Sequence, residues 1–282
     1  MIDRVIYALL NQSESGLVHE IIVVGQDENC LVPPNIRFIE TPYPASPAKA
    51  RNIGARHATA EWLLFIDDDC IASVDLVSRY REAMSFSKSV LGGGVQFNSK
   101  PYWSLCDNLL VFTPFLTTQP RGAQIYLPSL NLCVRRDVFM KVGGFDENFP
   151  HAAGEDVDLS MRLRRDNNDL HFEPTAWVTH RPSRATARLV WQHLFRFGEV
   201  HPKLAQKYSD LLPSKLNSLS PIVLRALKWF SPFLALRDIL ILCAQNASVR
   251  AYPHTFFGLW WGKIAWYWGV TQATSREQAG GH

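Results

Sequence analysis

The sequence predicts an α/β fold: a mixed, mostly parallel sheet flanked by helices, followed by a helical C-terminal region. Three observations predict it. Short apolar, β-branched runs alternate with helix-period segments over the first 180 residues. The charge balance changes near residue 180: residues 1–180 carry 16 basic and 22 acidic side chains, and residues 181–282 carry 13 and 4. Beyond residue 180 the strand-like runs stop and long amphipathic patterns replace them. We therefore expect two parts, 1–180 and 181–282.

Taken in order, Ile2 to Asn11 has helical period, with Asp3 placed to cap it. Glu20 to Val24 (EIIVV) is a buried strand by its β-branched content, and Ile36 to Glu40 is a second. Ser46 to Ala60 reads as a helix despite Gly54, and Trp62 to Ile66 (WLLFI) as a third buried strand. Asp75 to Phe86 is helical, and Val90 to Phe97 is a strand entered through Gly92, Gly93 and Gly94. Ile125 to Val134 reads as a strand, Arg136 to Val142 as a short helix, Val157 to Arg165 as a helix and Leu170 to Val178 as extended. Such alternation means a sheet covered on both faces, whose ligands bind at the carboxyl ends of the strands. Ala185 to Tyr208, Pro221 to Ala247 and Tyr252 to Val270 are helices with apolar faces, and Thr271 to His282 is a polar end expected to be loose.

Composition narrows the class. With 282 residues, 47% hydrophobic and 20% charged, the chain is neither disordered, collagen-like nor a disulfide miniprotein. Five cysteines, at 30, 70, 106, 133 and 243, are odd in number and form no CxxC, which argues for reduced thiols and against a zinc ribbon. The longest uncharged runs are about 13 residues, short of the roughly 18 that a plain membrane-crossing helix needs. No basic n-region and apolar core mark the N-terminus as a signal peptide. These features suit a cytoplasmic protein, with peripheral attachment to the inner face of the cytoplasmic membrane left open.

Two acidic clusters carry the chemistry. WLLFI runs into Asp67-Asp68-Asp69, and three adjacent carboxylates repel one another unless a cation relieves them. On an extended segment Asp67 and Asp69 share a face, and two hard oxygen ligands at a strand end suit Mg²⁺ or Mn²⁺. A solvated acidic turn or a helix cap is the alternative. Glu155 and Asp156 follow Gly154 ahead of an amphipathic helix; they suit either capping or a general base beside an acceptor hydroxyl. Lys49 and Arg51 could meet a phosphate or lie on a solvated helix face. His180 ends the last strand, where an imidazole could complete a metal shell. Asn131, inside an apolar strand, needs a polar partner, either a sugar hydroxyl or a backbone group. The glycine triplet fits neither GxGxxG nor a P-loop.

Together, EIIVV (20–24), AKARNIGARHATAEWLLFIDDDC (48–70), NLCVRRDVFMKVGGFDENF (131–149), GEDVDLSMRLRR (154–165) and the strand ending at His180 resemble glycosyltransferase family 2, inverting enzymes with the Rossmann-like GT-A fold. The resemblance implies that Asp67 and Asp69 hold a metal on a sugar-nucleotide diphosphate, with His180 also touching it. It implies that Asp156 is the catalytic base with Glu155 beside it, and that Lys49 and Arg51, with Asp68, contact the donor. It shifts the reading of Asp156 from cap to base. It implies a nucleotide-sugar donor and a glycan or lipid-linked acceptor, as in bacterial surface polysaccharide or glycolipid synthesis. Two departures go with it. The family's opening strand, ending in Pro-Thr-Tyr-Asn or similar, is missing, so an N-terminally shortened enzyme domain is expected. The acidic residue expected after the second strand is Gly25, followed by Gln26, with Asp27 two positions late. A relative that binds a glycan or partner without catalysis is the alternative.

The C-terminal region has two readings. Tyr252 to Val270 holds eight aromatics in nineteen residues, which either form the core of a helical subdomain or make a platform at lipid headgroup level. In the second reading Arg225, Lys228, Arg237, Arg250 and Lys263 face anionic lipid. Nucleic acid is not expected as a partner: the acidic front repels phosphate and no recognition motif is present. Segment 97–124 is expected to contribute to specificity.

Overall fold

The computed structural model describes residues 1–26, 32–34, 36–85, 89–98, 100–212 and 221–279, without the side chains of 221–222, 224–226 and 274–279. Asp27, Cys30, Phe86 and the side chain of Arg225 therefore lie outside the described residues. In chain order the elements are α1 (Ile2–Leu10), β1 (Ile22–Gly25), β2 (Arg37–Glu40), α2 (Pro47–His57), β3 (Trp62–Ile66), β4 (Cys70–Ala72), α3 (Leu76–Ala83), β5 (Val90–Phe97), α4 (Tyr102–Phe112), β6 (Gly122–Ala123), β7 (Asn131–Arg135), α5 (Arg136–Lys141), α6 (Glu155–Arg165), β8 (Leu170–His180), α7 (Ala187–Lys207), α8 (Pro221–Gln245), α9 (Ala247–Arg250) and α10 (Phe256–Ala279). The chain divides into two compact units, 1–96 with 115–181, and 97–114 with 182–282. Helix α4 belongs to the second unit with the C-terminal helices, so neither unit is one continuous stretch of chain.

In the first unit β1 and β2 form a parallel pair, in register Ile22 with Arg37. The larger sheet runs β3-β7-β5-β8-β4, with β6 also on β8. It is mixed: β7 is antiparallel to both β3 and β5, so those two point the same way. Helix α2 packs on β1, α3 on β8, α1 on β4 and α5 on β7. Gln12 joins α1 to α3: its Nε2 donates to Ala8 O and Ser73 O, and its Oε1 accepts from Val77 N. Under β3, the Phe65 ring meets Phe139 and Phe145 at 5.2 and 5.4 Å. The glycines of β5 serve packing. A Cβ on Gly93 would sit 2.1 Å from Ala176 O and from Asn131 Nδ2. That is far inside van der Waals contact, so only glycine lets β5 and β8 close around Asn131.

Several expected elements change. The strand expected from Ile125 begins only at Asn131, because Pro128 interrupts the run. Helix α6 starts at Glu155, with Gly154 at φ +90° supplying the left-handed turn ahead of it. Strand β4 and helix α4 are additions. The end of the chain is helical to Ala279, contrary to the loose tail expected from its polarity. Among the described residues Cys70, Cys106, Cys133 and Cys243 are free thiols, as expected.

The second unit is built on α10, which packs against α7, α8 and α4. Glycines let it approach closely. A Cβ on Gly198 would lie 2.0 Å from Trp266 O, and one on Gly269 the same distance from Phe195 O, so α7 and α10 touch backbone to backbone. Pro232 leaves the carbonyl of Lys228 without its helical donor; Ser231 Oγ donates to that carbonyl at 2.7 Å instead. The fully buried Asp107 on α4 accepts from Arg184 Nε at 2.7 Å and lies 2.6 Å from His193 Nδ1. Burial would raise this carboxyl's pKa, but His193 and Arg184 outweigh it and hold it below the usual range. Most of the α10 aromatics point inward, Phe256 and Phe257 being exposed. Trp260, Trp261 and Trp268 donate their indole N–H groups to Pro232 O, Ala187 O and Ser231 Oγ, and Tyr267 donates to Asp238. Lys263 is drawn in with them, 3.4 Å from Asp238 and 4.4 Å over the Trp266 ring, so it does not face outward as expected. No described helix is long and apolar enough to cross a membrane.

Candidate active site

The carboxyl end of β3 opens directly into the acidic triplet. The segment does not stay extended. Cys70 N donates to Asp67 O at 3.0 Å, closing a turn over Asp68 and Asp69 before β4 begins. The premise that alternation puts Asp67 and Asp69 on one face therefore fails, and each aspartate has its own partner. Register places Cys70 opposite His180 on β8, and Arg181 N donates to Asp69 O at 2.8 Å. This brings Asp69 Oδ2 to 3.4 Å from His180 Nε2, with His180 almost wholly buried. Ligand atoms of Asp69, Cys70 and His180 all lie within 4.8 Å of one another. Burial pushes the Cys70 thiol well up, and the neighbouring aspartates add to the shift. It stays protonated and donates to Asp69 Oδ1 at 3.7 Å. A carboxylate oxygen and an imidazole nitrogen form a donor set suited to a divalent ion that keeps positions for water and phosphate oxygens. A buried neutral thiol adds no ligand to such an ion. Asp68 is exposed.

Asp67 faces Arg51 instead. Helix α2 is capped by Ser46 Oγ, which accepts from Lys49 N, with Pro47 in the first turn. Its buried face carries Ala48, Asn52 and Ala55. Arg51 NH2 reaches Asp67 Oδ1 at 2.6 Å, and its NH1 reaches Glu155 Oε1 at 3.1 Å. The guanidinium also lies 5.3 Å over the Phe145 ring. Burial works against its charge, but Asp67 and Glu155 outweigh it and hold it protonated. One guanidinium thus binds a carboxylate from each acidic motif. Lys49, two residues earlier, turns to another side of the helix and is exposed, so the two cations do not act as a pair.

The second motif opens α6. Glu155 is 3% exposed, and its Oε2 is buried with no hydrogen-bond partner among the described residues. Burial raises its pKa, and Arg51 only partly offsets this. Asp156 is half-buried and accepts from Val157 N at 2.8 Å. Burial first, and then the Glu155 charge, push its carboxyl up to about 7. Gly154 occupies the cap position, and no side chain caps the helix start. A carboxyl titrating near neutrality is what a general base requires.

Three residues outside the sequence reading complete the arrangement. Asn52 pins the loop ahead of α6: its Nδ2 donates to Phe145 O and Glu147 Oε1, and its Oδ1 accepts from Phe145 N. Phe145 in turn carries Arg51. The Tyr126 phenol is pushed up by burial, with Asp156 adding to the shift, so it stays protonated near that carboxylate. The only sequence signal for Asn52 was a polar residue on an otherwise small-residue helix face. Asn131 takes the structural option: it is fully buried, donates to Gly94 O and Ala176 O, and accepts from Tyr80. It has no polar atom left for a ligand and does not belong to the site.

The family model for glycosyl transferase family 2 matches residues 1–105. The pre-mycofactocin glycosyltransferase of Mycobacterium tuberculosis (strain CDC 1551 / Oshkosh) is 26% identical over 191 residues, covering 62% of this chain and 38% of that protein. The chain thus spans well under half the length of that relative. The succinoglycan biosynthesis protein ExoM of Rhizobium meliloti (strain 1021) is 26% identical over 226 residues, covering 78% of this chain and 69% of its own. Among solved structures, the mannosyltransferase PcManGT from Pyrobaculum calidifontis, in complex with GDP-Man and Mn²⁺, superposes with TM-score 0.58 at 15% identity, over 95% of this chain and 83% of that one. S. aureus TarS 1-349 in complex with UDP gives TM-score 0.52 at 15% identity, over 98% and 88%. The first 105 residues thus carry the glycosyl transferase family 2 pattern, and the chain has the GT-A glycosyltransferase fold.

Proposed function

We propose that the protein is an inverting, metal-dependent glycosyltransferase that moves a sugar from a nucleotide-sugar donor to a hydroxyl of a glycan or lipid-linked acceptor. A relative in succinoglycan biosynthesis supports a part in polysaccharide synthesis, and bacterial surface polysaccharide or glycolipid synthesis at the inner membrane surface belongs to the same proposal. The observation that carries the reading is the Arg51 bridge, which joins Asp67 of one acidic motif to Glu155 of the other. It supports the reading by joining the carboxylates that the resemblance assigns to the donor side and the base side.

Asp69 and His180 would hold a Mg²⁺ or Mn²⁺ ion, with Asp67 beside it; such an ion neutralises charge on a leaving diphosphate. Arg51 orients Asp67 and Glu155 rather than meeting a phosphate itself, which revises its expected part. Lys49 and Asp68, both exposed, are left as donor contacts by the resemblance alone. Asp156 takes the proton from the acceptor hydroxyl as its oxygen attacks the anomeric carbon opposite the diphosphate. A single displacement inverts the anomeric centre and needs no covalent nucleophile.

The test is calorimetric titration with UDP, dTDP and GDP, each with and without Mn²⁺. Metal-dependent binding of one nucleotide, lost in Asp69→Ala, is expected. Asp156→Asn should keep that binding and lose roughly 10²–10⁴-fold in turnover. Silence toward all three nucleotides would favour the non-catalytic binding relative.

A further inference from the structure

The C-terminal unit turns its aromatic-rich helix α10 inward and leaves a different helix uncovered. On α8, Trp229 is 81% exposed, Phe230 61%, Phe233 72% and Leu240 54%, with Leu236 and Ile241 also exposed. Positions 229, 233, 236 and 240 follow the helical period, so these side chains form one stripe roughly 18 Å long. Phe257 widens it: it is exposed and its ring lies 6.0 Å from that of Trp260, whose indole N–H is bound to Pro232 O on α8. Soluble proteins seldom leave so continuous an apolar face open.

The charges around the stripe are mostly basic. Residues 227–257 carry Lys228, Arg237 and Arg250, all exposed, and a single carboxylate, Asp238. That carboxylate is turned toward Tyr267 and Lys263, although Arg237 also reaches it. Arg237 falls within the apolar stripe by helical angle and is 63% exposed. In a two-fold contact of this face with a second copy, two such arginines would be pressed into one apolar contact. A lipid headgroup layer accepts aromatic rings and snorkelling cations at the same depth.

We infer that this face of α8 seats the protein on an anionic bilayer surface, with Trp229, Phe230, Phe233 and Phe257 at the headgroup–acyl boundary and Arg237 and Arg250 on lipid phosphates. The inference rests on the proposed reading only in giving a membrane-presented acceptor a place to be met. It moves the lipid contact from Lys263 and most of the α10 aromatics to α8, and keeps Phe257 at the start of α10.

The experiment is flotation of the full chain with phosphatidylcholine vesicles, with and without phosphatidylglycerol, alongside nucleotide titration of the same sample. The wild type should float with the phosphatidylglycerol vesicles, less so at high salt. Trp229→Ser/Phe233→Ser should lose at least about 10-fold in vesicle affinity, since two aromatic rings no longer leave water. Its melting temperature should be unchanged, because both side chains are exposed. Arg237→Gln should reduce the phosphatidylglycerol dependence. Absent vesicle binding, equal binding by the double variant, or a wild-type dimer that the double variant dissociates would each overturn the inference. Vesicle binding without nucleotide binding would uphold it while sinking the transferase reading.

Discussion

At the residue scale, Arg51 and Asp156 carry opposite electrostatic assignments. Arg51 is held charged by two carboxylates, one of them nearly inaccessible. Removing it leaves Glu155 buried without its counter-ion. Arg51→Met should therefore cost about 3 kcal/mol, the low end for breaking a buried pair because Asp67 is partly exposed, and chemical denaturation would read it. Asp156 is the reverse case, an acid pushed up to about 7 by burial and by Glu155. Its basic form grows as pH rises, so kcat/KM should climb through about pH 7 and then level off. The same shift has a stability sign. The native carboxyl keeps its proton to higher pH than the unfolded one, so stability falls as pH rises from the ordinary aspartate range toward 7. Asp156→Asn should melt above the wild type at alkaline pH and lose that advantage on acidification. Both motifs were legible as acidic clusters in the sequence. The Arg51 link was not, because a helix residue and two carboxylates 16 and 104 positions away meet only in the fold.

At the scale of elements, α7 and α10 are held at a distance that only glycine permits. Gly198→Ala and Gly269→Ala each place a methyl group about 2 Å from a backbone carbonyl that no rotamer change can move. Each should destabilise the protein by about 1–3 kcal/mol even after the better helix propensity of alanine. The double variant should cost less than the sum, since one helix separation relieves both clashes; denaturant melts of the three proteins check this. The elements themselves were largely readable. WLLFI and Val90 to Phe97 are strands to the residue, because continuous apolar character admits little else at that length. Helix α4 was not foreseen, because it buries polar Asp107 and Asn108 along with its apolar residues and its hydrophobic period is blurred.

At the scale of the whole molecule, the expected linkage is between ligand and stability. If the Asp69–His180 pair holds a divalent ion under a nucleotide diphosphate, the two together should raise the melting temperature. At free ligand about 100-fold above Kd the gain is about 2.7 kcal/mol. Chelation with EDTA should remove that gain, and Asp69→Ala should never show it. Thermal shift with and without chelator decides the matter, and nucleotide alone should give little.

The sequence by itself determined the α/β class, the change of character near residue 180 and the two acidic motifs, because these depend on local periodicity, composition and adjacency. It also marked His180 at a strand end, where strand register then set it against Asp69. Tertiary structure alone decided the partners. It gave Asp67 to Arg51 and Asp69 to His180, because the triplet turns rather than extends. It spent Asn131 on holding the sheet together, drew Lys263 inside, and exposed α8 in place of α10. Each of these depends on which faces of distant elements pack together, and two long helices with weak hydrophobic periodicity carry no local mark of which will be covered.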